Sequence, residues 1–100
     1  MPDDALKKAK ADLNKKNKDL RKDAREAKKA SVKYFEALAK ALADPEDQTL
    51  AKKAADAKKA ADDIDQVVKD DLISVAEAVG KYTKLVVEDA MRKIFKSFSP

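Results

Sequence analysis

Histidine, cysteine and tryptophan are absent from this sequence, and glycine occurs once, at Gly80. Without cysteine there is no disulfide framework, no thiol nucleophile and no thiolate metal site. Without histidine the hydroxyls of Ser31, Ser74, Ser97 and Ser99 lack the usual general base. Carboxylate-bridged di-metal bundles also lose the Glu-x-x-His pairs they are built on. One glycine cannot make a phosphate-cradling loop. No apolar run approaches the length of about 20 residues that a membrane-spanning helix requires. The start, Met1-Pro2-Asp3-Asp4, is acidic where a secretory signal is basic and then apolar. The expectation is a soluble protein of the cytoplasm.

What is present is helix-forming material. Lys (20), Ala (19) and Asp (14) make up just over half of the 100 residues, so one domain spanning 1–100 is expected. Apolar residues are 44% of the chain, but alanine is nearly half of them, and the larger ones gather in 32–42 and 64–98. Net charge is +4 and unevenly spread. Residues 1–43 carry 13 basic and 7 acidic side chains, residues 44–71 carry 5 and 9, and residues 72–100 carry 5 and 3. A basic segment followed at once by an acidic one predicts two antiparallel segments that neutralise each other.

Hydrophobic spacing is helical throughout. Leu6, Leu13, Leu20, Ala27, Tyr34 and Ala41 recur every seven residues, and Ala9, Asn17, Ala24, Ser31 and Leu38 fall between them. After Pro45, Leu50, Ala54, Ala57, Ala61, Ile64, Val68, Leu72, Val75, Val79, Tyr82 and Val86 follow a period near 3.6. Opposite charges four apart, such as Asp12/Lys16, Glu36/Lys40 and Asp89/Lys93, support exposed helix faces. Asp44-Pro45-Glu46-Asp47 reads as a helix start with Asp44 as N-cap and Pro45 at the first helical position. Ser99-Pro100 closes the chain.

These signals define an all-α chain: helix over 3–43, turn over 43–47, and helix over 46–98. Asp63-Ile64-Asp65-Gln66 fits a capping box, Asp70 or Asp71 could start a helix, and Gly80 could end one. The apolar set Val86, Val87, Ala90, Met91, Ile94, Phe95 and Phe98 is too wide for a single neighbour. A compact antiparallel bundle of three or more helices, with a break within 61–72 or at Gly80, is therefore the first expectation. A hairpin of two long helices is the second. Its overhang would need a dimer to cover it.

Few residues are candidates for chemistry. Asp62, Asp63, Asp65, Gln66, Asp70 and Asp71 cluster in sequence but lack the glycine and terminal glutamate of a calcium loop, so caps and surface are expected. The basic run from Lys7 to Lys29 encircles its helix, is interrupted by Asp12, Asp19, Asp23 and Glu26, and contains no aromatic to stack on a base. Tyr34, Phe35, Tyr82 and Phe95 are expected in packing, with Phe98 partly exposed. No catalytic, cofactor-binding or metal-ligating residue, no specific nucleic acid and no membrane partner is expected. A monomer is the first expectation and a homodimer the second.

Low-complexity Lys/Ala/Asp helices, the Asp-Pro-Glu-Asp start and the missing Cys, His and Trp together resemble computationally designed, de novo helical bundles. The resemblance covers the whole chain and is one of style, without a motif. Asp outnumbers Glu by 14 to 5 although Glu is the better helix former, and residues 80–91 read like a natural fragment. A design recombined from natural helical pieces would combine both textures. That resemblance implies a structural protein made to test folding, with no substrate, cofactor or evolved partner, and hence no enzyme. The alternative expectation is a natural helical interaction or adaptor module.

Overall fold

The computed structural model describes residues 2–98, which form two helices, α1 (Pro2–Ala43) and α2 (Gln48–Phe98). Ser99 and Pro100, read as the close of the chain, lie outside the described residues. The helices are 42 and 51 residues long. At about 1.5 Å per residue they span about 63 and 77 Å. They pack side by side as an antiparallel hairpin of 84 × 16 × 13 Å. The Cα radius of gyration is 22.6 Å, where a compact domain of this size has about 13 Å. The all-α expectation holds; the compact bundle of three or more helices does not.

Neither expected break forms. α2 is continuous through 61–72 and through Gly80, with no residue at positive φ. Gln66, expected to close a capping box on Asp63, instead donates its Nε2 hydrogen to Asp70 Oδ1 at 3.1 Å along the helix. Caps compete with helix only where the chain has another reason to turn. Here α1 lies alongside α2 through 61–72 and past Gly80, and each turn that continues gains contact with it.

The connection is tighter than the sequence suggests. Asp44 N–H still donates to the Lys40 carbonyl at 3.2 Å, ending α1, and Asp47 N–H donates to the Asp44 carbonyl at 3.1 Å. Pro45 thus occupies the second position of a four-residue turn, which its fixed φ suits, and the absence of positive φ excludes type II. Asp47 is the N-cap: its Oδ1 accepts from Thr49 N–H at 2.9 Å and Leu50 N–H at 3.2 Å. The helix therefore starts at Gln48, with Asp44 serving the turn through its backbone.

Residues turned toward the partner keep a period of 3.5. In α1 they include Leu6, Ala9, Leu13, Leu20, Asp23, Ala27, Tyr34 and Ala41, with Ala24 exposed where the sequence reading had it inside. In α2 the series Ile64, Val68, Asp71, Val75, Ala78, Tyr82 and Leu85 alternates steps of four and three. The predicted stripe drifts off this line after Val68, leaving Leu72, Val79 and Val86 on the exposed side. A period of 3.6 gains about 20° on a 3.5 repeat every heptad. One neighbour lying alongside for some 60 Å accepts only the latter.

The core is made of alanine. Ala9, Ala54, Ala61 and Ala78 are the buried apolar residues among those described, at 4–6% exposure, and no large side chain is fully buried. Small residues let the two backbones approach closely, and this keeps the thin seam in contact.

Two mutational outcomes follow from cap and phase. Asp47→Ala should cost about 1 kcal/mol in a urea melt, and Asp44→Ala a few tenths or less. In samples dilute enough to be monomeric, Tyr82→Asp should cost about 2–3 kcal/mol by placing an unpaired charge on the seam, whereas Val79→Asp should stay within about 0.5 kcal/mol of the parent.

Candidate functional site

Two features depart from what a self-sufficient hairpin needs. The first is a polar layer midway along the seam. The register brings Asp19 and Asp23 of α1 to Asp71 of α2, and Lys16, Asp19, Asp71 and Ser74 line one groove. Lys16 Nζ is held by Asp12 Oδ2 at 3.2 Å on its own helix, so it does not neutralise Asp71.

Asp71 Oδ2 is buried and has no partner while both carboxylates are ionised, because neither then has a proton to give. With one proton between them, Asp71 donates to Asp23. That hydrogen bond, then loss of hydration, then repulsion from Asp23, Asp19 and Asp70 push the Asp71 carboxyl up from 3.8 to about 6. In the sequence Asp71 is a candidate cap or metal ligand. The signal that places it in the seam is the 3.5 spacing from Ile64 and Val68.

The second feature is the outer face of α2. Leu72, Ile73, Val79, Val86, Val87, Met91, Ile94, Phe95 and Phe98 are all exposed, from 41% at Val86 to 80% at Phe98. α2 outlasts α1 by 51 residues to 42. About 14 Å of helix carrying Met91, Ile94, Phe95 and Phe98 therefore projects past the end of α1. A smaller apolar set, Val32, Phe35 and Leu42, lies exposed near the turn, where the Tyr34 and Phe35 rings are 5.6 Å apart.

The remaining candidates do not converge. Among the described residues no group of three His, Cys, Asp or Glu side chains could hold a metal ion, so Asp62, Asp63 and Asp65 form no such centre. No described helix is long and apolar enough to cross a membrane. The basic run of α1 is less even than it reads. Asn14, Asn17, Lys18, Arg21 and Arg25 line one groove that includes no carboxylate. The predicted neutralisation between helices is not made by contact: Asp12–Lys16, Glu26–Lys29 and Asp89–Lys93 all lie within one helix, and no ion pair among the described residues joins α1 to α2. Comparison with protein-family models, with curated proteins and with solved structures gives no match.

The polar layer sets a pH dependence. A carboxyl raised in the folded state stabilises the fold when protonated and loses that contribution as pH rises through its folded value. The melting temperature should therefore rise on acidification from about pH 7 to about pH 5 through this group, against the usual trend for paired carboxylates. Asp71→Asn should raise the melting temperature at neutral pH and flatten this part of the profile.

Proposed function

We propose that the chain is a helical interaction module, a hairpin that completes its packing by laying the outer face of α2 against a further helix. The observation that carries this reading is the uncovered apolar stripe on α2 from Leu72 to Phe98. Its extent exceeds the scatter of single exposed apolar residues that any monomer shows. The total surface points the same way. The chain exposes 7974 Å² at 11.0 kDa, where a compact monomer of that mass exposes about 5,600 Å². In this reading the chain catalyses nothing and binds no cofactor. Specificity comes from helix register and flanking charge.

A second reading, a designed bundle built to test folding, is supported by composition: the Lys/Ala/Asp bias and the missing Cys, His and Trp. The apolar stripe weighs against it, since a chain written only to fold alone would turn Ile73, Val87 and Ile94 inward.

The interaction reading is tested by replacing Val79, Val87 and Ile94 together with Gln. In samples dilute enough to be monomeric, helix content by circular dichroism should stay within about a tenth of the parent, while binding of an apolar dye such as ANS falls several-fold. If the triple variant unfolds, the face is needed inside the chain and the reading fails.

A further inference from the structure

Building on the interaction reading, we propose that the partner for the outer face of α2 is α2 of a second copy of this chain, packed antiparallel about a two-fold axis near residues 81 and 82. Three observations lead there. Along this face Ile73, Ala76, Gly80, Thr83, Val87 and Ala90 alternate steps of three and four, the spacing of a second seam. That seam lies opposite the one formed by Asp71, Val75, Ala78, Tyr82 and Leu85 against α1, so a second helix can dock without displacing α1.

Gly80 is the second observation. Glycine inside a helix costs about 0.5–1 kcal/mol relative to alanine. A Cβ at this position would meet nothing within 4 Å, and φ is not positive, so nothing in the hairpin requires glycine. It sits at the middle of the outer seam, between Ala76 and Thr83. A gap there admits a close helix from outside.

The third is charge. In an antiparallel pair that sets Gly80 of each copy beside Thr83 of the other, Ala76 meets Val87 and Ile73 meets Ala90. The flanking position after Ala76 then faces the one after Thr83, which brings Glu77 of each copy to Lys84 of the other. Both side chains are exposed, and neither takes part in the ion pairs of the hairpin. One pair of opposite charges is thus satisfied twice by symmetry. Val79 and Val86, on the other flank, face each other across the same axis. Each α1 stays on the outside of a four-helix row.

The test is mass in solution by sedimentation over a concentration series, with charge variants. The parent should be a dimer. Glu77→Lys and Lys84→Glu each turn both cross-pairs into like-charge contacts and should weaken the dimer about tenfold or more. Mixing the two variants restores opposite charges at both contacts and should recover a mixed dimer. Both substitutions are on exposed helix surface, and circular dichroism should show unchanged helix content. A parent that stays monomeric up to about 0.5 mM overturns the proposal. So does a dimer indifferent to both variants and to their mixture. A monomeric parent that still loses dye binding in the Val79, Val87 and Ile94 variant would leave the interaction reading intact and remove only the second copy as its partner.

Discussion

A single straight neighbour fixes which side of a helix can be buried. Over a length of some 60 Å, residues that face the neighbour must return every 3.5 positions, because the intrinsic period near 3.6 walks them round the helix. α1 and α2 meet this condition from Leu6 to Ala41 and from Leu50 to Asp89. Close packing over Ala9, Ala54, Ala61 and Ala78, the inward position of Asp71 and the outward position of Leu72, Val79 and Val86 all follow from it.

The apolar residues of α2 do not keep to that line. Up to Val68 the large ones keep to the seam apart from Val67; beyond it they divide. Val75, Ala78, Tyr82 and Leu85 stay with α1, while Leu72, Val79, Val87 and Ile94 move outward. Two faces on one helix are the mark of an element touched from two sides. α1 supplies the inner contact, and the outer one is the basis of the interaction module and of its proposed self-association. The exposed surface is large because the two helices lie in a single thin pair and the outer face of α2 stays open to solvent.

The polar layer has a different consequence. Asp23 and Asp71 oppose each other where a hydrophobic pair would be more stabilising, and protonation of Asp71 relieves the repulsion. Such a pair weakens the seam at neutral pH.

Much of the fold is legible in the residues alone. Helix content follows from Ala, Lys and the spacing of apolar positions. The α1 seam through Leu6, Leu13, Leu20, Ala27, Tyr34 and Ala41 follows from a repeat of seven, and the turn near Pro45 from the residue that cannot continue a helix. These are local properties, set within a turn or two of the chain. The number of helices, the choice of Asp47 over Asp44 as cap, and the inward side of α2 after Val68 are not local. Asp63, Asp70 and Gly80 carry the grammar of helix ends, but α1 lies alongside α2 at all three positions and makes continuation the more favourable course. Periods of 3.5 and 3.6 differ by less than one residue over two heptads, so either fits the apolar residues of 50–68, and the two separate only beyond Val68. Only the presence of α1 along one side decides between them, because packing selects the period that stays in line with the partner.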